Sequence, residues 1–254
     1  MTNTTNLGNK KIKTGNWDVF QYEAIDSTNE EIKRLYNKVR DKKIIVVADE
    51  QSQGKGRYKR KWISPKNSGL YASWLLFNYE GEVEILPILT GLTCIKCLEE
   101  YCSEKFLLKW PNDLILSNKK LGGILIEKYK GSVIIGIGIN LISNEELLLT
   151  SISLNQSGSF QYDDFKLLRD NVLFDITKKL ENNLNYLCVN GPGMFLDEAN
   201  KYLTMPIGHS IRFIKDNTVF NAKVVGLGQG GRLKVELENK KVITLNSEEV
   251  SLNL

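Results

Sequence analysis

The residues QSQGKGRYKRKW, 51 to 62, hold five cations in the seven positions from Lys55 to Lys61, broken only by Gly56 and Tyr58. Cations at that density attract phosphate or another anion, and arginine adds a planar two-pronged donor suited to phosphate oxygens. Gly54 and Gly56 let the backbone approach a ligand and turn N–H donors toward an anion. Trp62 closes the stretch, placed to anchor its base or cover a ligand. A nucleic acid, a membrane surface and a small phosphate-bearing ligand all satisfy this chemistry.

Four other stretches carry polar residues where chemistry could follow. DSTN, 26 to 29, is explained by helix capping alone, yet a helix start also offers free N–H groups and hydroxyls to a polar ligand head. KWPNDL, 109 to 114, sets Asn112 and Asp113 after a proline, which is good turn chemistry but could also aim a carboxylate into a site at a sheet edge. Lys120 stands before two glycines in NKKLGG, where plain solvation would suffice. Asn140 ends GIGIN, whose glycines allow close backbone approach. GIGIN lacks the third glycine and the following helix of a dinucleotide fingerprint.

The net charge of the 254 residues is +4, and the window 55–61 supplies +5, so the rest of the chain sums to −1. A duplex-binding protein spreads cations along a face; a charge this local marks a site. Cys94 and Cys97 make a lone CxxC, and with His209 as the only histidine and no second CxxC they read as packing residues in a helix, not a zinc site. His209 reads as a surface or turn residue. The first residues lack the apolar stretch of a signal peptide and no apolar run is long enough to span a bilayer, so a cytoplasmic protein with no membrane partner is expected.

These residues must be positioned by elements that the apolar spacing outlines. Residues 1–16 read as a flexible lead-in. A strand follows at Trp17, then a helix from DSTN with capping-box spacing at Ser27/Glu30 and Thr28/Glu31. KIIVVADEQ and GLYASWLLF read as strands, ILPILTGLTCIKCLEEYCSE as a helix, and FLLKW as a strand ended by Pro111. LILSNKKLGGILIEKY reads as a hairpin and SVIIGIGINLI as a further strand. The run from Asp163 to Leu187 is an amphipathic helix with apolar residues every three or four positions. After Tyr202 the pattern changes to short β runs with tight turns. Strands and helices mix without strict alternation, which implies an α+β fold with a mixed, largely antiparallel sheet, and the tail suggests a small β-barrel. The expected division is 17–203 as one domain and 204–254 as a second.

The order DSTN, QxxGKGRxxRxW, KWPNDL, KLGGILIE, GIGIN and a β-rich tail resembles the biotin protein ligase family, from about Trp17 to Leu254. The resemblance implies a class II synthetase-like catalytic domain with an SH3-like C-terminal β-barrel. It implies formation of biotinyl-5′-AMP from biotin and ATP with Mg²⁺, then transfer of biotin to a lysine of a carrier domain such as that of acetyl-CoA carboxylase. By the same resemblance Ser27, Thr28, Asn29, Gln51, Gly54, Lys55, Gly56, Arg57 and Lys120 bind biotin. Arg57, Trp62, Asn112, Asp113, Lys120 and Asn140 serve the nucleotide, with Arg57, Lys120 and Asp113 in the chemistry and no protein-only metal site. Relatives dimerise through the sheet face, but the sequence shows no exposed patch for it, so a homodimer is one option and the oligomeric state stays open.

Two departures stand out: Lys59 occupies a position where glycine is common, and Lys55 replaces an arginine found in some relatives. The sixteen residues before the first strand are too few for a helix-turn-helix module, so operator DNA binding is not expected. A lipoate or octanoate ligase or transferase of related fold is the nearest alternative, disfavoured because the only histidine lies in the tail. A nucleic-acid-binding module using the basic loop is disfavoured by the local charge.

Overall fold

The computed structural model of the chain describes residues 10–39, 42–147, 151–157, 164–216, 218–247 and 251–253. Part of the expected flexible lead-in, Lys10–Thr14, is strand β1, paired with β2 (Trp17–Ile25); residues 1–9 lie outside the described residues. Helix α1 (Thr28–Leu35) leads to β3 (Ile44–Gln51), and the basic loop then runs to β4 (Gly69–Leu76). Helix α2 (Leu86–Leu98) precedes β5 (Phe106–Lys109), β6 (Asp113–Leu116), β7 (Lys119–Tyr129) and β8 (Ser132–Asn140). These eight strands form one sheet in the order β1-β2-β3-β4-β8-β7-β6-β5. Only the β2–β3 pair is parallel, as expected for a fold built largely from hairpins and not from βαβ units.

Alternation along the strands divides the sheet into two unlike faces. Ile45, Val47, Leu70, Ala72, Trp74, Ile135, Ile137 and Ile139 belong to the main core together with α2 and α3 (Phe165–Asn190). Phe20, Ile44, Val46, Leu75 and Ile134 form a smaller core under α1. The eight-residue α1 covers only part of that second face, and the remainder is left for a site. Helix α3 begins at an N-cap, Asp164, whose side chain accepts from the Lys166 and Leu167 amides. Three of the four cysteines, Cys94, Cys97 and Cys102, are buried and Cys188 is exposed on α3. Burial holds the Cys94 thiol well above its ordinary range and pushes Cys97 up to about 12. Cys94 and Cys97 pack into the main core, and among the described residues no group of three His, Cys, Asp or Glu converges. His209 is exposed in a turn, also as read.

The C-terminal barrel is not found. After α4 (Gly193–Asn200), strands β9 (Ser210–Lys215), β10 (Thr218–Leu227), β11 (Leu233–Leu237), β12 (Val242–Leu245) and β13 (Ser251–Asn253) form a second sheet in the order β12-β11-β10-β9-β13. Among the described residues β12 and β13 each pair with one neighbour only, so the sheet is open. Closure is unnecessary for burial here, because Phe213, Val224, Val235 and Leu245 pack into the main core that the large sheet and its helices supply. Trp110 at the end of β5 donates its Nε1–H to the Gly231 carbonyl at 2.8 Å and ties the two sheets together. No described helix is long and apolar enough to cross a membrane.

Candidate active site

A cleft of ≈ 730 Å³ opens on the partly covered face of the large sheet. Its floor comes from β7 and β8, its walls from the start of α1, the basic loop and the 109–113 turn, and one edge from the second sheet. Eleven of the thirteen residues proposed from the sequence line it: Ser27, Thr28, Asn29, Gln51, Lys55, Gly56, Arg57, Trp62, Asn112, Asp113 and Lys120. The structure thus converges stretches that lie up to 93 residues apart, counted from Ser27 to Lys120.

The other two stand behind the wall. Gly54 accepts the Trp62 amide at 2.8 Å through its carbonyl, and a Cβ there would meet Trp62 O at 2.4 Å, so glycine is what lets the two arms of the loop close. Asn140 is buried at the end of β8, its side-chain amide donating to the Ile152 carbonyl at 3.2 Å.

The basic loop is a miniature hairpin. Gly56 N donates to Arg60 O (2.7 Å) and Arg60 N to Arg57 O (3.1 Å), with Tyr58 and Lys59 at the tip. Both tip residues have positive φ, 55° and 59°, the pattern of a type I′ turn. Lys55 Nζ lies 2.6 Å from Glu30 Oε1, and Arg60, Lys61 and Lys109 line the same cleft. Among the described residues lining the cleft, Lys55, Arg57, Arg60, Lys61, Lys109 and Lys120 face two acids, Asp113 and Asp216.

The capping boxes expected for α1 do not form, and Ser27 makes no side-chain cap. The cap comes from β3 instead: Gln51 Oε1 accepts the Thr28 amide (2.9 Å) and the Thr28 hydroxyl (3.2 Å), while Gln51 Nε2 donates to Ser64 Oγ (2.9 Å). Glu30 is drawn instead to Lys33 and Lys55, and Glu31 to Tyr22 and Arg34. Hydrogen bonds from Lys55 and then Lys33 hold the Glu30 carboxyl below its usual range, against the smaller opposing effect of burial.

Asn29 lines the cleft with its amide already committed. Its Nδ2 donates to Glu127 Oε2 at 2.6 Å and its Oδ1 accepts from the Ser73 hydroxyl, which also lies 2.7 Å from Thr28 Oγ1. Glu127 Oε1 in turn takes Lys33 Nζ at 2.9 Å. Ser73, Glu127 and Lys33 therefore brace the α1 end of the site, and sequence spacing gives no sign of them. Gly136 and Gly138 make room on the floor: a Cβ would stand 2.5 Å from Asn29 Oδ1 in the first and 2.5 Å from Trp62 Nε1 in the second. These are the GIGIN glycines, whose close approach was legible.

At the other wall Lys120 Nζ pairs with Asp113 Oδ1 (2.7 Å) and lies 5.2 Å from the centre of the Trp62 ring. A bulge makes this possible. Asp113 pairs with Gly123 and Leu114 with Gly122, but Ile115 pairs with Lys120, so one β7 residue is skipped. In a regular ladder Lys120 would sit opposite Leu116 and point to the other face; the skip turns it onto the face of Asp113.

A pocket with a hydrogen-bonded polar end and a strongly cationic rim suits a ligand with a neutral polar head and an anionic, phosphate-bearing partner. Comparison with known proteins agrees. Residues 22–144 match the family model described as the biotin/lipoate A/B protein ligase family. The biotin protein ligase of Aquifex aeolicus, solved in complex with biotin and ATP, is 30% identical, with a TM-score of 0.77, covering 92% of this chain and 98% of that one. The bifunctional ligase/repressor BirA of Bacillus subtilis is 27% identical over 246 residues, spanning 91% of this chain and 73% of its own length. The human biotin–protein ligase is 26% identical over 226 residues, 83% of this chain and 31% of its own.

Proposed function

The chain belongs to the biotin protein ligase family, and from that premise we propose a division of labour within its cleft. The enzyme forms biotinyl-5′-AMP from biotin and ATP, then transfers the biotin to a lysine of a carrier protein. In this reading the carrier is the biotin-bearing domain of acetyl-CoA carboxylase or a similar carboxylase. Residues 17–203 hold the reactants, and 204–254 cover the open side of the cleft.

Biotin's uncharged head lies at the α1 end, against Thr28 and Gln51, with Ser27 beside them and Asn29 held rigid by Ser73 and Glu127. Its carboxylate points toward Lys120 and the basic loop. In the first step a carboxylate oxygen attacks the α-phosphorus, an O–P bond forms, and the bond to pyrophosphate breaks. Two anions must meet, and negative charge grows on the phosphorus oxygens and the leaving group. Lys55, Arg57 and Lys120 offset that charge, fixed before the reaction so that no reorganisation is needed. Mg²⁺ supplies further charge neutralisation on the phosphates. Carried in with ATP, it would find oxygen donors in Asn112 and Asp113 on the cleft wall. Trp62 and the loop exclude water from the mixed anhydride, which water would hydrolyse.

In the second step the neutral acceptor amine attacks the acyl carbon, an amide C–N bond forms, and AMP leaves. Asp113 takes the amine's proton, which requires it to part from Lys120. An Asp113→Ala enzyme that transfers biotin from preformed biotinyl-AMP at the wild-type rate would remove that role.

The observation that carries this reading is the meeting, among the described residues, of six cations and two carboxylates in one cleft with the polar end at Thr28 and Gln51. It is tested by the intact mass of a carrier domain incubated with the protein, ATP, Mg²⁺ and either biotin or lipoate. A gain of one biotin that requires ATP, and whose rate falls about a hundredfold or more in Lys120→Ala, is the expected result. A gain with lipoate and none with biotin would replace the substrate.

A further inference from the structure

Arg57 is held by the second sheet. Its Nη2 donates to Ser247 Oγ at 2.8 Å and to the Tyr58 hydroxyl at 3.0 Å, and the guanidinium lies 4.9 Å from the centre of the Tyr58 ring. The Tyr58 hydroxyl donates onward to the Ser247 carbonyl at 2.6 Å. Ser247 follows β12, 190 residues away along the chain. Nη1 points to Asn112 Oδ1 at a long 3.5 Å. Arg57 and Ser247 line both the main cleft and a second cavity of ≈ 440 Å³, so their contact forms a crossbar between the two.

The backbone supplies an independent observation. Tyr58 adopts φ 55°, ψ 34°, and Lys59 φ 59°, conformations that cost an L-residue free energy. Tyr58 is 61% exposed, so burial of its ring is not what holds it there. The turn's own backbone bonds close the tip, and the bond to Ser247 and the stack with Arg57 hold the Tyr58 side chain on it.

We infer that Tyr58 and Ser247 are positioning residues for the first half-reaction. They tether Nη2 and the plane of the guanidinium, and so aim the remaining donors of Arg57 at the phosphate side of the cleft. The second sheet thereby supplies part of the adenylation machinery. This rests on the reading of Arg57 as a cation for the α-phosphate.

The test is pyrophosphate release from biotin and ATP by the full chain, followed against ATP concentration. Tyr58→Phe and Ser247→Ala are each expected to lower kcat/KM for ATP about tenfold, the effect of one lost hydrogen bond to a charged group, with the thermal midpoint unchanged. Ser247→Thr, which keeps the hydroxyl, is expected to restore it, and Tyr58→Phe is expected to have no further effect once Arg57 is alanine. If Arg57→Ala is impaired while Tyr58→Phe and Ser247→Ala match wild type, the positioning role is overturned and the reading of Arg57 stands. If Arg57→Ala itself matches wild type, that reading fails and the positioning role falls with it.

Discussion

At the tip of the basic loop, Tyr58 and Lys59 occupy the two central places of a type I′ turn, which favour Asn-Gly because both need positive φ. Lys59 stands at one of these two places, where glycine would meet the positive φ without strain. Replacing it with glycine is expected to stabilise the chain by roughly 1 kcal/mol, the left-handed penalty less the extra freedom glycine has when unfolded. Urea unfolding measures this, with Lys59→Ala as the control: alanine keeps the Cβ, so a gain as large as glycine's would point to charge and not to backbone. The five cations were plain in the sequence, but their turn geometry was not, since a Tyr-Lys tip carries no turn signal. Asn29 shows the same limit. It sits in a legible motif, yet its amide faces Glu127, a residue 98 positions away. Lys120 reaches Asp113 only through a one-residue bulge, which no spacing rule forecasts.

At the scale of elements, periodicity marked α1 to α3 and the longer strands but neither β1 nor α4, and the failure of the α1 cap is instructive. Ser27 and Glu30 have capping spacing, but the nearby Gln51 takes over the cap and Glu30 is drawn to two lysines. Local propensity gave way to tertiary contacts that are the site itself. The Glu30 carboxyl is held low in the fold, so its contribution to stability is present above the ordinary carboxylate range and is lost below it, as pH falls through the lowered value of the folded state. Glu30→Gln is therefore expected to be less stable than wild type at neutral pH, with the gap closing as pH falls below the ordinary carboxylate range. Denaturation midpoints across that range decide it; a gap independent of pH would assign the loss to packing. Strand β8 carries a second element-scale consequence. Gly138→Ala would place a methyl 2.5 Å from Trp62 Nε1, so the indole must leave the floor of the cleft. Isothermal titration is expected to show biotin binding weakened at least tenfold by that change. Unchanged binding would mean that Trp62 takes no part in holding biotin.

At the scale of the whole molecule, one core runs from Trp17 in the first sheet to Leu245 in the second. The compositional change after Tyr202 was visible, but short strands with tight turns look alike in sequence whether a sheet closes on itself or rests on a neighbour. The open sheet rests on α2 and α4, and Gly231 lies so close that a Cβ would stand 2.6 Å from Ile88 Cγ1. A boundary near 203 is therefore a change in pattern and not a break in packing. Unfolding by denaturant is expected to be one cooperative transition, reported alike by tryptophan fluorescence and circular dichroism. Two separated transitions would show that the second sheet melts alone.

The burial of three cysteines gives that transition its own clock. An alkylating reagent meets Cys188 on the surface of α3, while Cys94, Cys97 and Cys102 are sealed in the core, the first two with thiols that resist ionisation. The native chain thus offers one chemical handle, free for a dye or a tether away from the cleft. The moment the other three become reachable dates the opening of the core from inside the molecule.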